Sequence, residues 1–312
     1  MTEPDVLAIG ETMLSLIALG GPLATATRFV ATHGGAESNA CVGLARSGIG
    51  AAWVSRLGAD VPGDRIAVAL EREGVDLRWV RRDPDRPTGL MLRDTVGAVR
   101  YYRSGSAASA LAPEALDDVP VEQARAVLVT GITALIGPGP REAAIRLLDR
   151  ARGLRVFDPN LRPGLWGSER AHELLLPLVE RCQLLLAGEM ELRTLIGEVP
   201  LEDLARRCQA LGPREVVIKR GAAGVTALDP NGGWHDHAPS QTPDVDPVGA
   251  GDAFNAGYLA ARLQAEPVDA ALRKGAACGA AVASSIGDVD GFPARPSAMV
   301  SSSEPKEERR DT

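Results

Sequence analysis

The sequence predicts an α/β fold in which a mainly parallel sheet lies between two layers of helices, with a small second β-sheet beside it. From about residue 35 onward, short apolar runs alternate with helical patterns, which is typical of a parallel sheet covered on both faces. The 312 residues, 45% of them hydrophobic, are enough to bury a large core. Two segments, about 12–30 and 88–103, interrupt the alternation and predict the small sheet.

The main sheet is predicted from five apolar runs and the helical patterns between them. The predicted strands are Ala51–Leu57, Ala126–Thr130, Leu154–Phe157, Leu184–Leu186 and Glu215–Ile218. The predicted helices are Ala40–Ser47, Arg65–Glu73, Arg141–Arg152, His172–Arg181 and Leu201–Leu211. Ligands of such sheets bind beyond the carboxyl ends of the strands, so motifs at those ends are the candidate site.

The two interrupting segments predict a lid over the strand ends. Thr12–Val30 contains a Gly20-Gly21-Pro22 turn, and Thr88–Arg103 has the pattern of a hairpin around an Asp94–Ala98 turn. An exposed sheet of this kind needs cover, which predicts a homodimer or higher homo-oligomer through its outer face. Residues 1–300 are therefore expected to form one domain with this lid. The polar, charged residues 301–312 are expected to be a disordered tail.

Composition excludes several classes of protein. A net charge of −7 and a pI near 5.3 argue against binding to nucleic acid, which requires a basic surface. No apolar run reaches the ~18 residues of a membrane span, and the chain begins without a secretory signal pattern. We therefore expect a cytoplasmic protein that does not bind membranes.

Neither the cysteines nor the histidines predict a metal site. The four cysteines show no CxxC spacing and lie in segments that look buried, which argues against a zinc site or a disulfide framework. His235 and His237 share one face of a strand, but no carboxylate or thiol cluster nearby in the sequence completes a site. We expect both to be surface histidines.

The segment Asp246–Phe254, with the sequence DPVGAGDAF, carries the strongest chemical signal. Gly249 and Gly251 allow successive backbone amides to converge on an anion. The helix predicted from Ala253 to Leu263 would add the partial positive charge of its N-terminus. Asp252, at the head of that helix, could take the proton from an attacking alcohol. The pattern favours phosphoryl transfer to a hydroxyl, with a Gly-rich turn capped by Asp as the alternative.

A second glycine motif follows the apolar strand Val216–Ile218. Lys219–Gly224, with the sequence KRGAAG, places a basic pair and a glycine turn where a nucleotide could lie. An ordinary β-turn explains this short motif as well. The chain contains no GxxxxGK[ST] pattern, so a P-loop fold is not supported.

Three other elements present groups suited to a polyhydroxy acid or a phosphate. Arg162, in the Pro-bounded tip 158–163, could pair with a carboxylate or phosphate, and Asn160 with a phosphate oxygen. Tyr101 and Arg103 are two apart on a presumed strand and so share a face. Gly34-Gly35 lets the backbone approach a small ligand. The alternatives are an Arg that satisfies local carbonyls, ordinary strand surface and a helix-start turn.

In this order, the motifs resemble those of the ribokinase-like (PfkB) carbohydrate kinases, across roughly residues 5 to 295. The resemblance is carried by Gly34-Gly35 with Asn39, by Leu57-Gly58-Ala59-Asp60 and by DPVGAGDAF. Within the family, five motifs look most like those of 2-keto-3-deoxygluconate kinases. They are GGAESN, Tyr101-Tyr102-Arg103, the DPNLR segment that begins at Asp158, Leu165-Trp166 and DPVGAGD. Fructokinases share the DPNLR…LW element.

The resemblance implies a ribokinase-like fold and ATP-dependent transfer of the γ-phosphoryl group to a primary hydroxyl of a sugar or sugar acid. Mg²⁺ is implied as cofactor, and a monovalent cation is a further candidate. The implied site comprises Asp252 as base; the amides of Gly249, Ala250 and Gly251 as anion hole; Asn160, Arg162, Lys219, Gly221 and Gly224 at ATP; and Gly34, Gly35, Tyr101, Arg103, Arg162 and Asp288 at the sugar acid. Arg103 and Arg162 favour an acidic sugar, because a neutral hexose leaves both guanidiniums without an anionic partner.

One segment departs from the family pattern. Relatives often carry Asn-x-x-Glu after a central strand, whereas Gly188 stands here in place of the Asn and only Glu191 matches. Glu191 is therefore an expected indirect contributor to Mg²⁺ binding, without the amide that usually accompanies it.

Three other functions remain as alternatives. Fructokinase or another PfkB sugar kinase is the nearest, and a non-catalytic sugar-binding protein comes from a different class. Asp252 behind Gly-Ala-Gly argues against the latter. A nicotinamide oxidoreductase is disfavoured because the first strand ends in Ile9-Gly10-Glu11-Thr12, which lacks GxGxxG.

Overall fold

Nine strands form the larger of two sheets in the computed structural model, which describes residues 3–95, 97–161, 168–239 and 245–293. In chain order they are β1 (Val6–Ile9), β4 (Ala51–Gly58), β5 (Val80–Asp83), β8 (Ala126–Thr130), β9 (Leu154–Asp158), β10 (Leu184–Gly188), β11 (Glu215–Lys219), β12 (Val225–Leu228) and β13 (Trp234–His237). Their spatial order is β13-β12-β11-β10-β9-β8-β1-β4-β5, parallel from β5 to β11 and antiparallel from β11 to β13. The predicted mainly parallel sheet is confirmed.

Helices cover both faces of this sheet. They are α1 (Ala36–Arg46), α2 (Val61–Arg72), α3 (Gly131–Leu135), α4 (Pro138–Arg150), α5 (Ser168–Arg181), α6 (Glu189–Ile196), α7 (Leu201–Leu211), α8 (Ala250–Leu263) and α9 (Val268–Ala283). Alternate residues of β1 enter different cores: Leu7 packs with α3 to α7, and Val6 with α1, α2, α8 and α9. Strands buried on both faces are apolar along their whole length, which explains the runs in the sequence.

The second sheet consists of β2 (Met13–Ala18), β3 (Phe29–Gly34), β6 (Leu90–Arg93) and β7 (Val99–Tyr102), in the order β3-β2-β6-β7. The β6–β7 pair is antiparallel, as expected of the predicted hairpin. We call this sheet the lid. Strand β3 continues to Gly34, beyond the predicted end of the first lid segment at Val30, so the lid runs directly into α1. Asp60, the N-cap of α2, fixes the other end of the lid by accepting hydrogen bonds from the amide and hydroxyl of Thr88.

Five helices, α1, α2, α4, α5 and α8, begin three or four residues earlier than predicted. The differences at α1 and α8 affect the candidate site. Helix α1 begins at Ala36 rather than Ala40, because its first turn carries polar residues that are nonetheless buried. Helix α8 begins at Ala250 rather than Ala253, since Gly251 and Asp252 carry no apolar pattern yet adopt helical geometry. Asp252 consequently lies inside the first turn of α8.

His235 has two carboxylate neighbours that the local sequence does not show as a cluster. Its Nδ1 lies 2.9 Å from Asp269 Oδ1 and its Nε2 lies 3.0 Å from Asp229 Oδ2. Asp269 is on a helix distant in sequence, so the strand pattern could not show it. The hydrogen bond that His235 donates to the Asp229 carboxylate is the main cause of a raised His235 pKa. Both ring nitrogens therefore face carboxylates in ion pairs, and no group of three or more metal-binding side chains occurs among the residues described.

The four cysteines are free thiols, and burial raises the pKa of both Cys41 and Cys182. Within the described ranges, no helix is both long enough and apolar enough to cross a bilayer.

Candidate active site

Two cavities meet at the N-terminus of α8, beyond the carboxyl ends of the parallel strands. The first, of about 130 Å³, lies beneath the lid and is lined by Glu11, Gly34, Gly35, Asn39, Arg93, Tyr101, Arg103, Asn160, Asp252 and Asp288, among others. The second, of about 380 Å³, is lined by Lys219, Gly221, Gly224, Ala250 and Gly251 and by small residues of α9. We call them the lid cavity and the helix cavity. The turn that opens α8 contributes to both.

Gly249 makes this turn possible. It caps α8 with φ of 86°, in the left-handed region that favours glycine, and a Cβ there would lie 2.3 Å from the Asp288 carbonyl oxygen. The first i→i−4 bond of α8 runs from the Ala253 amide to the Gly249 carbonyl, at 2.8 Å. The Ala250 amide makes a longer bond of 3.3 Å to the Pro247 carbonyl. The N-terminal amides and helix dipole therefore give the junction of the cavities a positive potential.

Asp252 is buried, with 4% of its surface exposed, and faces the lid cavity. Its Oδ2 accepts a hydrogen bond of 2.9 Å from Asn39 Nδ2, and its Oδ1 accepts one of 3.2 Å from Asn160 Nδ2. Both donors are neutral amides, so they orient the carboxylate without cancelling its charge.

Asn160 reaches Asp252 because the Asp158 side chain holds the backbone of Asn160 in place. Asn160 has φ of 44°, a left-handed conformation that Asn tolerates better than most residues. Its amide donates a 2.8 Å hydrogen bond to Asp158 Oδ1. This places Asn160 in the lid cavity, whereas the predicted role was at ATP.

The other oxygen of Asp158 holds a cation. Lys219 Nζ donates to Asp158 Oδ2 at 2.9 Å and to Asn255 Oδ1 at 3.2 Å, and Asn255 Nδ2 donates to the same Asp158 oxygen at 2.6 Å. Burial alone would lower the Lys219 pKa, but the carboxylates of Asp158, Glu191 and Asp252 raise it above its usual value. Lys219 is therefore an ammonium ion. A Cβ on Gly251 would lie only 3.7 Å from its Nζ, so this charge sits beside the α8 turn.

Glu11 supplies an anionic partner for Arg103 in the lid cavity. The two side chains form an ion pair, and the Ser106 hydroxyl donates to Glu11 Oε1 at 2.5 Å. The Arg103 guanidinium also lies 5.9 Å from the centre of the Tyr101 ring, so these two residues share a face as predicted. The expectation that Arg103 lacks an anionic partner without an acidic ligand is wrong. Glu11 follows β1 directly, and nothing in its local sequence indicates this contact.

Another arginine reaches the lid cavity from β6. Arg93 is fully buried and donates to Asp246 Oδ2 at 2.7 Å and to Asp288 Oδ1 at 2.9 Å. Burial is the main cause of a raised Asp288 pKa, which Arg93 and Asn39 partly counteract. Asp288 thus lines the lid cavity as predicted, already bonded to Arg93. The Arg93 contacts were not predicted, because Arg93 resembles an ordinary hairpin residue in sequence.

The helix cavity is lined mainly by backbone and small side chains. Gly224 has φ of 89°, and a Cβ there would lie 2.3 Å from the His237 carbonyl oxygen. Gly221 is also left-handed, with φ of 54°. Of the predicted basic pair, only Lys219 lines the cavity, because Arg220 turns to Asp236 at 3.2 Å.

Glu191 lies at the start of α6, close to Lys219. Its Oε2 accepts a 2.7 Å hydrogen bond from the Gly188 amide, and Gly188 pairs with Lys219 across β10 and β11. A Cβ on Gly188 would lie 3.2 Å from Glu191 Cδ, so glycine lets the Glu191 side chain fold back over the helix start. The Glu191 carboxylate offers oxygen, the ligand type that Mg²⁺ prefers, close to Lys219 of the helix cavity.

The structure brings nearly all the described candidates together. Gly34, Gly35, Tyr101, Arg103, Asn160, Asp252 and Asp288 line the lid cavity, and Lys219, Gly221, Gly224, Ala250 and Gly251 line the helix cavity. Gly249 lies between the two. Arg162, predicted to contact both ligands, lies outside the described residues, as does Leu165-Trp166. Sequence reasoning assigned no role to Glu11, Asn39, Arg93, Asp158, Asp246 or Asn255.

Comparison with known proteins identifies relatives along nearly the whole chain. The profile of the pfkB family carbohydrate kinases matches residues 3–295. The chain is 31% identical over 298 residues to a 2-dehydro-3-deoxygluconokinase of Thermoproteus tenax, covering 93% of this chain and 91% of the relative. It is 33% identical over 303 residues to the enzyme of the same name from Bacillus subtilis (strain 168), covering 93% of each. It is also 31% identical over 309 residues to Fructokinase-1 of Oryza sativa subsp. japonica, covering 92% of this chain and 94% of the relative.

Solved structures share the same fold. A PfkB protein from Polaromonas sp. JS666 superposes with a TM-score of 0.82 at 36% identity, covering 94% of this chain and 97% of that one. A putative ribokinase II from E. coli, crystallised in complex with ATP and Mg²⁺, superposes with a TM-score of 0.87 at 22% identity, covering 93% of this chain and 96% of that one. The ribokinase-like fold is confirmed.

Proposed function

The chain belongs to the pfkB family of carbohydrate kinases, phosphotransferases that act on a sugar hydroxyl, and we propose that its acceptor is a sugar acid of the 2-keto-3-deoxygluconate type. The observation that carries the proposal is the position of Asp252, a buried carboxylate held by two neutral amides where the cavities meet. The acidic acceptor is supported by the named relatives and by the Arg103 guanidinium in the lid cavity.

The two cavities suit the two substrates. ATP is assigned to the helix cavity, where small residues leave room for a flat base and Lys219 carries a positive charge. The sugar is assigned to the lid cavity, whose polar side chains can hydrogen-bond to hydroxyls. The turn between them then directs the amides of Gly249, Ala250 and Gly251 toward the phosphoryl group that passes from one cavity to the other.

Asp252 is the proposed general base. The primary hydroxyl of the sugar gives its proton to the Asp252 carboxylate as its oxygen forms a bond to the γ-phosphorus, and the bond from that phosphorus to the ADP oxygen breaks. Proton removal of this kind contributes about 10²–10⁴ in rate. The α8 dipole and the Lys219 ammonium stabilise the charge that develops on the transferred group.

Mg²⁺ bound to ATP would neutralise phosphate charge during transfer. Glu191 is the carboxylate proposed to bind its hydration shell, from a position stabilised by the Gly188 amide. Dependence on a monovalent cation stays a prediction, as does the cytoplasmic location.

A fructokinase is the second candidate, and one contact favours it. Because Glu11 already pairs with Arg103, the described part of the lid cavity does not present an uncompensated guanidinium at that position. A neutral ketose could then hydrogen-bond to both members of the pair without disturbing its charge balance. The likeness to the rice Fructokinase-1 supports the same alternative.

A coupled assay for ADP release over a panel of sugars and sugar acids tests the proposal. We expect the largest kcat/KM for 2-keto-3-deoxygluconate and a smaller value for fructose. A higher value for fructose would replace the proposed acceptor by the second candidate. If none of the acceptors in the panel gives ADP release, a non-catalytic sugar-binding protein would be supported instead.

The lid's outer surface supports the prediction of a homo-oligomer. Phe29, Val30 and Tyr102 of the edge strands are large exposed hydrophobic residues. We propose that a second copy of the chain covers them, since exposed apolar sheet surface favours association. A monomeric mass in light scattering would contradict this.

A further inference from the structure

Arg93 joins the lid to the turn that opens α8. It is the last residue of β6, yet its side chain is completely buried and its two terminal nitrogens donate to Asp246 and Asp288. Burying a charge is costly unless hydrogen-bonded partners of opposite charge surround it. The two terminal nitrogens of Arg93 meet that requirement with carboxylates 153 and 195 positions away in sequence, whereas its Nε has no hydrogen-bond partner among the described residues.

Its two partners hold the backbone on either side of Gly249. Asp246 Oδ2 also accepts from the Gly287 amide at 3.2 Å, and Asp246 Oδ1 accepts from the Val248 amide at 3.3 Å. The backbone of Asp288 packs so closely against Gly249 that a Cβ at that position would lie 2.3 Å from the Asp288 carbonyl oxygen. Arg93 therefore binds the two chain segments, at Asp246 and at Asp288, that hold the turn at Gly249 in place.

Arg93 is also connected to the proposed base. Asp288 uses its other oxygen, Oδ2, to accept from Asn39 Nδ2 at 3.5 Å, and the same Asn39 nitrogen donates to Asp252 Oδ2 at 2.9 Å. All four side chains are buried. A shift of Arg93 would be transmitted through these hydrogen bonds to the Asp252 carboxylate.

We propose that Arg93 is a positioning residue that aligns the anion hole and Asp252 with the lid, so that correct placement of the sugar and of the catalytic turn depend on one guanidinium. This proposal rests on the proposed function of Gly249–Asp252. A guanidinium suits the role because its planar fork donates to two carboxylates at once, which an ammonium ion cannot do with the same geometry. Both terminal nitrogens are committed to protein, so Arg93 acts through its neighbours.

The test compares Arg93→Met with Arg100→Met. Arg100 is a matched control from the adjacent lid strand, since it is exposed and, among the residues that the structure describes, its guanidinium donates to the Val99 carbonyl of its own segment. With the best acceptor of the panel, we expect Arg93→Met to lower kcat about 100-fold, a loss typical of a misplacement near 1 Å, while the KM for ATP changes less than about threefold. Guanidinium ion at millimolar concentration should restore part of kcat. Arg100→Met should match the wild type.

Hydrogen exchange gives a readout that does not depend on the acceptor. In Arg93→Met, amides of residues 246–251 and 287–288 should exchange faster than in wild type, whereas those of β10 and β11 should not. An inactive wild-type protein would contradict the proposed function alone, because faster exchange in these segments would still support positioning by Arg93.

Arg93→Lys covers the case in which Arg93→Met does not fold. It keeps a positive charge among the carboxylates, and we expect it to fold, to lose at least about tenfold in kcat and to show faster exchange at residues 246–251. Wild-type kcat in Arg93→Lys, unchanged exchange at 246–251, or a kcat loss in Arg93→Met that guanidinium does not restore would each overturn the proposal.

Discussion

The lid cavity and the helix cavity lie on either side of one turn but are built from different materials. The lid cavity is lined by charged side chains in buried pairs, such as Glu11 with Arg103 and Arg93 with Asp288. The helix cavity is lined mainly by glycines, alanines and prolines, with Lys219 as its charged side chain among the residues described. The lid cavity is therefore defined by charge and hydrogen bonding, and the helix cavity by the shape of the backbone.

This difference separates what defines the enzyme class from what selects its acceptor. A nucleotide can be accommodated by backbone conformations that only glycine adopts, and these leave a local signature in the sequence. If the sugar binds in the lid cavity as proposed, acceptor choice depends on charge pairs between residues far apart in the chain. Changing one member of a pair then leaves its partner's charge uncompensated.

Among the changes that alter the shape or charge of the two cavities, breaking the turn that they share is expected to have the largest effect. Gly249→Ala places a Cβ 2.3 Å from the Asp288 carbonyl oxygen and forces alanine into a left-handed conformation. The turn must move, and we expect kcat to fall about 100-fold or more with every acceptor. Steady-state kinetics of the purified variant measures this.

Gly232→Ala is the control, because Gly232 also has a left-handed φ, of 82°, but open space around it. It should lose about 1 kcal/mol of stability and keep wild-type kinetics. If Gly249→Ala were as active as Gly232→Ala, close packing of the turn would not matter for catalysis.

The next effect sharpens the role of charge in the lid cavity. Arg103→Ala should lower kcat/KM for 2-keto-3-deoxygluconate about tenfold more than for fructose, since only the acid offers the guanidinium a carboxylate. The single variant also leaves the buried Glu11 without its ion-pair partner, so Glu11→Gln/Arg103→Ala is the cleaner comparison.

Kinetics of both variants on both acceptors provide the measurement. Equal losses on the acid and on fructose would remove Arg103 as a reason to regard the acceptor as acidic.

A smaller effect is expected from changing only the shape of the helix cavity. Ala280→Leu adds three carbons to a residue that lines it, so the KM for ATP should rise about tenfold by steric exclusion while the ranking of acceptors stays the same. Ala277→Leu lies on the exposed side of the same helix and should leave the KM unchanged. A changed acceptor ranking in Ala280→Leu would show that the cavities are not independent.

The same contrast explains how much of the molecule was predictable. The strands Ala126–Thr130 and the helix Leu201–Leu211 agree with prediction at both ends, because continuous apolar runs and helical periodicity are local properties. Helix α1 was predicted to start too late because the residues of its first turn are polar. They are nonetheless buried, because they lie at the candidate site. Such residues oppose the pattern on which prediction depends.

The site divides in the same way. Gly249, Gly251 and Asp252 lie within four residues of each other, and their motif pointed to phosphoryl transfer. Arg93 and Asp246 are 153 positions apart, and neither has a local pattern that indicates the other. The Glu11–Arg103 ion pair was missed for the same reason, and with it the charge balance of the lid cavity.

The central claim is that the Asp252 carboxylate removes the proton of the acceptor hydroxyl where the two cavities meet. Asp252→Asn keeps the size of this side chain and one accepting oxygen but removes the base. Measured together, kcat should fall at least about 1000-fold while the dissociation constant for ATP changes less than about threefold. Wild-type kcat in Asp252→Asn would contradict the account.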